Sequence, residues 1–90
     1  MSYKAGIFNV WSMSIGYFIG YKTRVSDKEV ANVIQIPVED YVNILKSYNA
    51  QLDTGEYFTN EYFFNKRSDA IKCAEFLNEK YGLLIKLMEI

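Results

Sequence analysis

Apolar and polar positions alternate over residues 3–11: Ala5, Ile7, Asn9 and Trp11 fall on one side of an extended chain, and Gly6, Phe8 and Val10 on the other. This period of two predicts a strand. Ser12-Met13-Ser14 reads as a turn, after which Ile15, Tyr17, Ile19 and Tyr21 alternate against Gly16, Phe18 and Gly20. Glycines four apart on one strand face read as relief of crowding beside large aromatics. Residues 25–29 form a polar turn, and residues 30–36 predict a third strand with Val30, Ile34 and Ile36 buried. Both connections are short, so the three strands fit an antiparallel meander.

The period then changes. Pro37 stands at a first helical position, with Glu39 and Asp40 in the first turn, a placement favoured by the fixed proline φ and by the helix dipole. Val38, Tyr41, Val42, Leu45 and Tyr48 share one stripe at helical spacing, which predicts a helix to about Tyr48 or Asn49. Asp53-Thr54-Gly55 is a turn signal, and residues 56–64 predict another strand. The last stretch reads strand, helix, strand. Asn65, Ser68 and Asp69 open a helix, and Gly82 after Tyr81 predicts a left-handed stop. Residues 83–90 then predict a closing strand. Within the helix, Ala70, Ala74, Leu77 and Tyr81 cluster on one side, while Phe76 falls opposite, beside Lys72 and Glu79. The small alanines predict close approach to a sheet.

The expected order is β-β-β-α-β-α-β, an α+β two-layer sandwich with both helices on one face of a mixed sheet, forming one domain over residues 1–90. Ninety residues with 50% hydrophobic composition support one core. Aromatics make up 17% of the chain, with eight Tyr and six Phe, more than one small core absorbs, so some must reach the surface. Net charge is −1, which gives no overall attraction to phosphate backbones. A single cysteine excludes an internal disulfide and favours a cytoplasmic protein. The apolar N-terminal run is interrupted by Asn9, Ser12, Ser14 and glycines, which argues against a signal peptide or membrane span.

Histidine is absent, removing the commonest general base, triad partner and metal ligand together. Cys73 lies near the apolar side of its helix and reads as a structural thiol. Asp53-Thr54-Gly55 matches the catalytic turn of aspartic proteases, but three residues match by chance and here they read as a turn. Phosphate-loop, dinucleotide and zinc spacings are missing. No catalytic, cofactor or metal residues are therefore assigned, and a non-enzymatic protein-interaction module is the expected function. Its contact residues are Phe76 with Lys72 and Glu79, and Trp11 with Tyr17 and Tyr21. Such a module suits an adaptor, a subunit or an inhibitor of a larger enzyme, similar in size and type to compact anti-defence inhibitors encoded by phages and other mobile elements. A homodimer through edge pairing of residues 84–90 is a related expectation. One alternative is nucleic-acid binding through strand aromatics with Lys66, Arg67, Lys22 and Arg24. Another is a homo-oligomer that takes a small flat ligand.

Overall fold

The computed structural model describes residues 2–4, 6–23, 25–53 and 61–88. The chain begins with a meander of β1 (Ser2–Lys4), β2 (Phe8–Met13) and β3 (Gly16–Tyr21), antiparallel in the order β1-β2-β3. The first strand predicted from alternation is in fact two. Gly6, at φ 100°, separates β1 from β2 in a conformation that favours glycine. It also lies where a Cβ would come 2.9 Å from Asn78 Oδ1. The β2–β3 register pairs Phe8 with Tyr21, Val10 with Ile19 and Trp11 with Phe18. Gly20 is where large aromatics crowd the sheet: a Cβ there would sit 2.6 Å from Trp11 Nε1.

The third strand predicted over residues 30–36 is a helix, α1 (Asp27–Val33). Ser26 caps it: Ser26 Oγ accepts from the Glu29 N–H at 3.2 Å and donates to Glu29 Oε1 at 3.0 Å. One otherwise orphaned helix-start N–H, that of Glu29, is thus served by the cap, and the Glu29 carboxylate holds the Ser26 hydroxyl in place. Val30, Ala31 and Ile34 are buried at helical spacing, which outweighs the strand preference of the branched side chains. Gln35, at φ 59°, stops the helix, with the Gln35 N–H on Asn32 O and the Ile36 N–H on Ala31 O. Pro37 is the N-cap of α2 (Val38–Ser47), which ends in the same way. Asn49 takes φ 73°, and the Asn49 and Ala50 N–H groups return to Lys46 O and Leu45 O.

A second, two-stranded antiparallel sheet joins β4 (Gln51–Leu52) to β5 (Tyr62–Phe63). Most of the strand predicted over residues 56–64 lies outside the described residues. Reciprocal backbone bonds between Tyr17 and Phe64, at 2.8 and 2.9 Å, couple the two sheets.

The closing strand predicted over residues 83–90 is also corrected. The last helix, α3 (Arg67–Met88), runs straight through Gly82. Gly82 is buried inside the helix and does not take the left-handed conformation of a stop. Leu77, Tyr81 and Ile85 continue one inward-facing row at intervals of four, and burial of Ile85 in the main core fixes the helical period there. The order is therefore β-β-β-α-α-β-β-α. The mixed sheet with two crossover helices on one face is replaced by two antiparallel sheets. Here α1 packs on α2, and α3 packs on β2 and β3. The small α+β domain is centred on Phe8, Val10, Ile34, Tyr41, Phe64 and Leu77.

Candidate interaction surface

The inner side of α3 explains what is left over outside. Ala70, Cys73, Ala74, Leu77 and Ile85 are buried, and the alanines let the helix approach the meander. Asn78 fastens the contact: its Oδ1 accepts from the Phe8 N–H at 2.8 Å, and its Nδ2 donates to Phe8 O at 3.1 Å and Ala74 O at 2.9 Å. With that face committed, the residues rotated by roughly 110° from it around the helix turn outward.

These are Phe76, Lys80, Leu83 and Leu87, spaced four, three and four apart. Leu83 is 69% exposed and Leu87 60%. Phe76 is half-buried, and its ring lies 6.0 Å from that of Tyr48 at the end of α2. Lys80 Nζ stands 5.7 Å from the Phe76 ring centroid and 5.5 Å from that of Tyr81. A shallow depression of about 300 Å³ opens between Phe76, Glu79 and Lys80. Lys72, Glu75, Glu79 and Lys86 are exposed along the rim.

The structure brings Phe76, Lys72 and Glu79 together on this face. It separates the other expected group. Trp11 stands across from Phe18 on the sheet side that carries Asn9 and Met13, while Tyr17 and Tyr21 share the opposite, α3-facing side with Phe8 and Ile19. Trp11, Tyr17 and Tyr21 are all half-buried. The edge pairing expected of residues 84–90 is unavailable over residues 84–88, which are helical. Sequence reasoning missed Lys80, Leu83, Lys86 and Leu87 because the strand reading placed the last three elsewhere. Continuing the helical spacing of Phe76 through Gly82 would have found them.

The described residues among those expected to bind nucleic acid lie on different elements. Lys66 and Arg67 are exposed at the start of α3, and Lys22 is exposed at the end of β3 with its Nζ 5.4 Å from the Tyr21 ring. Arg24 lies outside the described residues. Cys73 is buried, and desolvation pushes its thiol up to about 12, so it stays protonated at neutral pH. Asp27 is a tether: the Tyr62 N–H donates to its Oδ2 at 2.8 Å, and its own N–H donates to Glu61 Oε1 at 2.9 Å. Asp53 is buried, with its N–H on Glu61 O at 2.8 Å, while Thr54 and Gly55 lie outside the described residues. Among the described residues, no three potential ligands group in a way that could hold a metal, and no helix is long and apolar enough to cross a membrane.

No family model matches the chain, and neither curated proteins nor solved structures show significant similarity to it.

Proposed function

We propose that this chain is a small, non-enzymatic protein-interaction module whose docking surface is the outer face of α3. The observation that carries the reading is the exposure of Leu83 and Leu87 on the same side of the helix as Phe76. Two leucines one helical turn apart, left in water beside a half-buried aromatic, form an apolar strip with a charged rim. That is the make-up of a contact surface, with an apolar centre that loses water and a rim that sets register. The lack of histidine and the protonated, buried Cys73 support a binding role over a catalytic one. An adaptor, a subunit or an inhibitor of a larger enzyme, including an anti-defence inhibitor of the phage type, would each use such a strip.

The test is capture from nuclease-treated lysate of the cell of origin, with the tagged chain as bait and untagged copies of the chain counted among the captured proteins. The expected result is one stoichiometric protein retained by the native chain and lost by the Leu83→Glu, Leu87→Glu double variant, with the far-UV circular dichroism of the two unchanged. Capture that is indifferent to the double variant would overturn the assignment of the surface. Capture that disappears on nuclease treatment would move the function to nucleic acid and to Lys66 and Arg67.

A further inference from the structure

Resting on that reading, we infer that the strip's partner is the same strip on a second copy of the chain, packed antiparallel. Phe76, Lys80, Leu83 and Leu87 follow the four-three-four spacing of a helix seam that meets another helix. In such seams each side chain enters a hole made by residues i, i+3, i+4 and i+7 of the facing helix. The depression of about 300 Å³ is lined by Phe76, Glu79 and Lys80, the first three residues of one such hole, and Leu83 is the fourth.

The charge order selects the orientation. In a parallel pair every seam residue meets its own counterpart, so Lys80 would face Lys80 at the centre of the contact. In an antiparallel pair Lys80 of one copy meets Leu83 of the other, and Phe76 meets Leu87. In the single chain Lys80 Nζ stands over its own Phe76 and Tyr81 rings; in the pair its stem would cover apolar surface while the ammonium swings to the rim. That same register brings Glu79 of each copy opposite Lys86 of the other, two opposite-charge pairs related by the two-fold axis. Both residues are exposed in the single chain and open to such pairing. The contact spans only about three helical turns, so association belongs to the weak, concentration-dependent class.

Sedimentation of the purified chain from micromolar to millimolar concentration tests the proposal, with circular dichroism as the folding control. The native chain is expected to dimerise reversibly. Glu79→Lys alone, or Lys86→Glu alone, places like charges at both rim positions and should weaken the dimer by about tenfold. The double exchange Glu79→Lys, Lys86→Glu should restore it, and so should mixing the two single variants. A native chain that stays monomeric, or a dimer indifferent to these changes, overturns the self-pairing. If a monomeric native chain still captures a foreign protein through Leu83 and Leu87, the self-pairing fails while the interaction surface stands. A dimer weakened by each single reversal but not restored by the exchange overturns the antiparallel register.

Discussion

Both long sides of α3 carry large aliphatic side chains, and these meet different fates. On the inner side Leu77 and Ile85 are buried against the sheet. On the outer side Leu83 and Leu87 stand mostly in water. The aliphatic side chains themselves do not separate the two; what each side touches does. An inner leucine loses its water when the chain folds and so stabilises the fold. An outer leucine keeps its water and contributes little until something else covers it. Two substitutions of the same chemistry should therefore report on different equilibria, folding in one case and association in the other.

The largest effect is expected from Leu77→Ala, which removes fully buried methyl groups from the packed side. It should lower unfolding stability by roughly 2–5 kcal/mol, depending on how far the site collapses, read from the midpoint of urea unfolding. A loss below about 1 kcal/mol would mean that α3 does not pack on the sheet as described. Next comes Asn78→Ala. It removes the acceptor for the Phe8 N–H and the donor to Phe8 O, and should cost about 1–3 kcal/mol because those backbone groups are partly buried and lose their partner. Hydrogen exchange at the Phe8 amide should quicken more than stability alone accounts for. Exchange that simply follows global unfolding would show that Asn78 does not hold that strand edge.

The inner side was readable from spacing, and much of the rest was readable too. Pro37, Glu39 and Asp40 announced α2, and one-sided apolar spacing gave its length. The cap of α1 lay in Ser26 and Glu29, inside the stretch that reads as a polar turn. Residues 30–36 read as a strand because Val30, Val33, Ile34 and Ile36 favour strands by local propensity, a preference that tertiary burial routinely reverses. Residues 83–88 are a different case. A short run of Leu, Ile and Met fits both periods, and only the burial of Ile85 beside Leu77 and Tyr81 decides between them. Phe76 with Lys72 and Glu79 could be placed on one face because a single helix sets their relation. Trp11 could not be related to Tyr17 and Tyr21, because that relation depends on strand register.

Cys73 sharpens the comparison from the inside. Burial raises its thiol from 9.0 to about 12, so the folded state holds its proton more tightly than the unfolded state does. The resulting stability is fully present below pH 9.0 and is lost as pH rises toward about 12. The slope reaches about 1.3 kcal/mol per pH unit midway between the two. Subtracting the alkaline unfolding profile of Cys73→Ala isolates this contribution from that of the tyrosines. Superimposable profiles would mean that the thiol is solvated, as would rapid alkylation of the native protein at pH 8.

The smallest expected effect is the one that separates the two sides most sharply. Leu83→Ala deletes as much apolar surface as Leu77→Ala, but from a side chain that is 69% exposed. Exposed helix positions away from packing and caps move stability by no more than about 0.5 kcal/mol either way, and alanine's higher helix propensity offsets part of the lost contact. Measured at concentrations low enough to keep the chain monomeric, the urea midpoint should therefore barely shift, while the dimer proposed for high concentration should weaken. A monomer destabilised as strongly as by Leu77→Ala would place Leu83 in the core and remove the basis for an outer contact face. An unchanged monomer with an unchanged dimer would leave the fold intact and move the association away from this helix.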